Sequence, residues 1–186
     1  WPVPTLKNRE TETSEFQLVP NARNDLDYLR NEIINKYGNE EYNHVDLDLN
    51  LWIIDGYEGI LQDVPVFIDD RDAVYLKTDN FQLATDDDFV IIYGVDHTQI
   101  GKATFMNVSF YGAKLWNGVV PANITDESKY PANEYFPKGY KNSKYYYAIK
   151  MARKVQEGNE VIIPYSTGNC SGSAYGVDNN EDAYIG

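Results

Sequence analysis

Two histidines and one cysteine in 186 residues leave little of the equipment on which hydrolytic triads, thiol redox centres and transition-metal sites depend. His44 and His97 are too far apart in sequence to make a local metal motif. Cys170, alone in its loop of Thr, Gly, Asn and Ser, has no partner for an internal disulfide. Neither a Gly-x-Ser-x-Gly elbow nor a phosphate loop is present. No run approaches the roughly 20 apolar residues of a spanning helix, and no basic and apolar leader opens the chain.

Positive charge is the next scarcity. Sixteen Lys and Arg stand against 29 Asp and Glu, giving a net charge of −13 and a sequence pI near 4.4. Such a chain repels phosphate backbones and anionic headgroups, which argues against nucleic acid and membrane surfaces as partners. What is abundant is aromatic: 16 Tyr, 7 Phe and 3 Trp, within a hydrophobic share of 42%. That composition supports a sizeable core and a single domain over residues 21–186, preceded by an extended arm over residues 1–20 marked by Pro2, Pro4 and Pro20. The opening Trp1 and the apolar Tyr184-Ile185-Gly186 suggest a piece of a longer precursor, cut within a strand at its C-terminal end.

One helix is expected over Asp25–Tyr37, capped by Asn24, with Leu26, Leu29, Ile33 and Tyr37 on one face and Gly38 ending it. From Val45 the apolar period changes to two through Leu47, Leu49, Leu51 and Ile53, which predicts a half-buried strand. Further strands are expected over 59–68, 73–77, 80–83, 89–95, 103–111 and 115–120. Residues 144–155 fit both periods and read better as a strand, forming a hairpin with 161–165 through Glu157-Gly158-Asn159. The resulting class is mainly β, an antiparallel β-sandwich-like domain with one amphipathic N-terminal helix, α+β being the alternative.

Several polar clusters invite function. Asp46-Leu47-Asp48-Leu49-Asn50 resembles the start of an EF-hand loop, but Leu51 stands where glycine must turn the chain. The acidic loops holding Asp70 and Asp72, Asp87, and Asp178 supply the short carboxylates that calcium prefers and are the candidate metal ligands. Asp96, His97 and Lys102 gather an acid, an imidazole and an ammonium between two strong strands and are candidate ligand contacts. Tyr135 and Tyr140 belong to an aromatic loop over 129–144, expected at the surface, where flat faces stack on sugars or anchor proteins.

No catalytic residue is assigned, and an enzyme is the less favoured class. These features predict a non-catalytic extracellular or cell-surface domain that binds a glycan or a protein neighbour, with calcium as its candidate stabiliser. Three Asn-x-Ser/Thr sequons, at Asn107, Asn123 and Asn169, agree with secretion. The alternatives are a glycoside hydrolase working through two carboxylates, or a self-associating subunit of a surface layer or filament.

Overall fold

The computed structural model describes residues 18–38, 42–51, 59, 61–63, 75–124, 130–166 and 176–186. Their elements run α1 (Ala22–Tyr37), β1 (Leu49–Leu51), β2 (Leu76–Thr78), β3 (Phe89–Val95), β4 (Asn107–Gly112), β5 (Asn117–Asn123), β6 (Tyr146–Ala152), β7 (Val161–Ile162) and β8 (Ala183–Ile185). The described residues are therefore mainly β, in three sheets with one α-helix. Among them, no helix is long and apolar enough to cross a membrane.

The strands pair as β1-β2, as β3-β6-β7, and as β5-β4-β8. The β3 sequence Phe-Val-Ile-Ile-Tyr-Gly-Val is apolar without alternation because both of its faces are covered. Val90 and Ile92 join Tyr147, Ile149 and Met151 of β6 in a cluster with Val108 and Phe110 of β4, Val119 of β5, and Ile185 of β8. Ile91, Tyr93 and Val95 join Tyr146 and Ala148 in a second cluster with Leu29 and Ile33 of α1. The sheet thus separates two cores, and the period-two geometry of its strands sorts residues between them.

Several sequence expectations change on this frame. Helix α1 starts three residues earlier than the expected Asp25, and Asn21 at its N-cap takes a left-handed φ of 62° without a side-chain cap bond. Asn24, the expected cap, therefore lies inside the helix, and Asp25 sits buried against the second core. Gly38 ends the helix at φ −80°, so conformational freedom is not its reason; a Cβ there would stand 2.6 Å from the Ile34 carbonyl oxygen.

The long strand expected from Val45 shrinks to Leu49–Leu51, with Val45 and Leu49 exposed. Its last positions lie outside the described residues, as do most of 59–68, the loop of Asp70 and Asp72, Cys170, and the arm up to residue 17. The segment 80–83 forms only an isolated bridge, Phe81 to Ala183. Strand β6 occupies the ambiguous stretch as expected, but its hairpin with β7 does not form: Met151 pairs with Val161 and Ala152 with Ile162 in parallel. The connection is held off the turn geometry by Glu160, whose carboxylate accepts the backbone N–H groups of Gln156, Glu157 and Gly158.

Candidate functional site

The loop between β3 and β4 closes on itself. Asp96 is buried, and its Oδ1 accepts the Thr98 N–H at 2.9 Å, the Thr98 hydroxyl at 2.5 Å and the Gln99 N–H at 3.2 Å. This is the side-chain turn that aspartate makes readily, and among the described residues it forms no bond to the His97 imidazole. The His97 carbonyl accepts the amides of Lys102 and Ala103. Burial, and then the Lys102 charge, hold the His97 ring below its usual range, against an opposing pull from Asp96. At neutral pH the ring is uncharged.

The aromatic loop packs inward instead of standing at the surface. Tyr130, Tyr135 and Phe136 are buried, and Phe136 stacks between Tyr28 at 5.7 Å and Tyr140 at 5.3 Å. Tyr140 donates its hydroxyl to Asp25 Oδ1 at 2.7 Å, while Tyr135 lies beneath Lys36 Nζ, 5.4 Å from the ring centre. Burial drives the Tyr135 hydroxyl far above its ordinary range, with its bond to Tyr37 adding to the effect. Both tyrosines therefore hold the 130–145 segment against α1.

The acidic loops are partly brought together. Asp86 Oδ1 accepts the Tyr165 hydroxyl and the Asn179 amide, which ties the Asp86-Asp87-Asp88 turn to the segment of Asp178. Of the positions expected to hold calcium, Asp70 and Asp72 lie outside the described residues and the other two are otherwise engaged: Asp87 faces Lys154 Nζ at 3.5 Å, and Asp178 Oδ1 accepts the Ser166 amide at 2.9 Å. Among the described residues, no group of three or more His, Cys, Asp or Glu is arranged to hold a metal ion.

A groove of about 360 Å³ opens elsewhere, lined by Asn80, Gln82, Ala113, Lys114, Asn180, Glu181 and Asp182. None of Asp96, His97, Lys102, Tyr135 or Tyr140 lines it. It is assembled from the β4–β5 turn, the segment before β3 and the approach to β8. The Ala113 amide donates to the Asp182 carbonyl at 2.8 Å, Gln82 Nε2 donates to Asp182 Oδ1 at 2.7 Å, and the Asp178 amide donates to Glu181 Oε2 at 2.9 Å. Each carboxylate is thus held by one oxygen. A ring of amides, acids and an ammonium in an open concavity suits a ligand rich in hydroxyls.

Beside Lys114 the same turn carries Leu115 and Trp116, each 59% exposed. The four residues between β4 and β5 form a hairpin loop whose last position, Trp116, has φ 55°. Loops of this length commonly place a left-handed residue there, and glycine or asparagine is its economical occupant. A bulky ring in that conformation costs roughly 1–3 kcal/mol, and strain of this kind gathers at functional sites.

The sequence reading places Leu115 and Trp116 at the start of a strand and passes over Lys114, Gln82 and Glu181. The signal it holds is Asn117-Gly118, which looks like the turn itself; the turn closes one residue earlier, and Asn117 pairs with Gly112. The sequons Asn107 and Asn123 meet as direct cross-strand partners at the opposite end of this hairpin, both exposed. No protein-family model, curated protein or solved structure matches the chain.

Proposed function

We propose that this chain is a non-catalytic recognition domain of an extracellular or cell-surface protein, and that it binds a glycan in the groove beside the β4–β5 turn. The observation that carries the reading is Trp116: an indole more than half exposed, at a backbone position that disfavours it, on the same turn as Ala113 and Lys114 of a groove lined by three amides and two carboxylates. Aromatic faces stack on the apolar faces of sugar rings while amides and acids take their hydroxyls. The volume suits one or two sugar residues. The two three-stranded sheets that share the larger core are proposed as the leaves of a β-sandwich, with α1 packed outside.

Titration calorimetry against a panel of oligosaccharides tests the proposal. Binding to at least one neutral or charged oligomer, lost in Trp116→Ala with unfolding temperature preserved, supports it; a panel that stays silent rejects it. The hydrolase reading draws on Glu181 and Asp182 both lining the groove, and release of reducing ends during the same incubations would favour it. Assembly by strand addition is less favoured, because the β5 side of its sheet carries Pro121, which has no N–H to donate to an incoming strand. Calcium enters the proposal as a stabiliser only. An unfolding temperature equal in chelator and in millimolar calcium removes it.

A further inference from the structure

We infer that the groove selects its ligand by charge, favouring amine-bearing sugars over neutral ones and turning away uronates; this rests on the glycan-binding reading above. Two acids, Glu181 and Asp182, line the groove against one cation, Lys114, and the remaining polar lining, Asn80, Gln82 and Asn180, is uncharged. The acids are fixed in place rather than free to swing aside. Glu181 is held by the Asp178 amide, Asp182 by the Gln82 amide, and the Asp182 backbone by Ala113.

Asp178, in the same turn as Glu181, adds a third negative charge with its own carboxylate tied to Ser166, and the Arg153 guanidinium within electrostatic reach of Asp178 and Glu181 offsets part of it, which leaves the acids in excess. Behind these stands the whole chain at −13, a field that an anionic oligomer must enter against and a cationic one enters with. Trp116, two residues beyond Lys114 and outside the lining itself, presents an exposed indole whose face attracts an ammonium and gains nothing from a carboxylate. The amides serve hydroxyls of either class, so they set affinity without setting sign. Charge selection therefore resides in Glu181 and Asp182, and overall affinity in Trp116 and the amides.

The test compares three hexamers of similar size by calorimetry: glucosamine, N-acetylglucosamine and galacturonate, carrying positive, zero and negative charge. Exposed pairs contribute modestly, so each carboxylate is expected to tighten the amine-bearing hexamer two- to five-fold relative to the acetylated one, with no measurable galacturonate binding. The preference should shrink in half-molar salt. Glu181→Gln with Asp182→Asn should bring the amine-bearing and acetylated hexamers to equal affinity, whereas Trp116→Ala should abolish binding of both. Galacturonate binding as tightly as the others, or a preference that survives the double substitution, overturns the inference and leaves the glycan reading standing. Silence from all three hexamers overturns the inference, and silence from the wider panel as well rejects both.

Discussion

The Tyr146 hydroxyl donates to Asp25 Oδ2 at 2.9 Å, joining the first turns of α1 to the start of β6 across 121 sequence positions. Tyr140 occupies the other oxygen, so a buried carboxylate is held by two hydroxyls from opposite ends of the 140–146 segment. A buried hydrogen-bonded group costs more to orphan than the bond itself is worth. Tyr146→Phe alone should therefore lower unfolding free energy by about 1–2 kcal/mol, and Tyr140→Phe with Tyr146→Phe by more than the sum of the two singles. Urea unfolding of the four members of that cycle provides the check, and strict additivity would show that Asp25 finds other partners.

Trp116 supplies an opposite kind of prediction. Replacing it with glycine relieves the left-handed strain at φ 55° and should stabilise the hairpin by about 1 kcal/mol while abolishing oligosaccharide binding. Thermal unfolding and calorimetry on one sample read the two effects together. A variant that loses stability would mean that the indole holds the turn rather than serving a ligand.

Glu157 ties α1 and β6 to the connection between β6 and β7. Lys36 Nζ donates to its Oε2 at 2.7 Å, Tyr37 to its Oε1 at 2.8 Å and Lys150 to its Oε1 at 3.3 Å. Burial alone would raise this carboxyl, but the Lys36 and Tyr37 bonds and the charges of Lys36 and Lys150 outweigh it and hold it at about 2. A carboxyl lower in the folded state than in the unfolded one stabilises the protein above the ordinary glutamate range and loses that contribution as pH falls from about 4.5 towards 2. The group is about one-third exposed, so solvent screening reduces the contribution to about 1 kcal/mol. Glu157→Gln should flatten that part of the stability profile, as followed by urea unfolding at pH 6, 4 and 3.

Two glycines besides Gly38 are fixed by close approach. A Cβ on Gly176 would overlap the backbone of Pro164 and Tyr165, where the Val177 amide meets the Pro164 carbonyl at 3.0 Å. Gly94 lies opposite Tyr147, and a Cβ there would come 2.9 Å from the tyrosine oxygen. Gly176→Ala should cost upwards of 3 kcal/mol because only backbone stands in the way, and Gly94→Ala about 1–2 kcal/mol because a ring can tilt. Equal losses in a chemical-denaturation comparison would contradict that distinction.

How much of this was legible in the sequence follows the range of the interactions involved. The helix pattern at Leu29 and Ile33, the unbroken apolar run Phe89–Val95 and the aromatic strand Tyr146–Ala152 are local signals, and each element formed close to where its period predicts. The acid-rich turns were also legible, since aspartate bonds to amides two or three residues away, as Asp96 and Asp88 do.

Which tyrosines face solvent was not legible, because Tyr135 and Tyr140 owe their placement to α1, about a hundred residues earlier. Nor was the parallel pairing of β6 with β7, since a turn signal at Glu157-Gly158-Asn159 cannot reveal that Glu160 gathers the amides around it.

The sequence by itself determined the class, the charge and the position of most elements, because periodicity and turn chemistry act over a few residues. The tertiary structure decided the site. Lys114, Gln82, Glu181 and Asp182 come from three separate segments, and only the pairing of β4 with β8 and the bridge of Phe81 to Ala183 bring them around one groove. Long-range pairing is where local preference ends, since it is selected by the burial of whole faces rather than by any residue's own conformation.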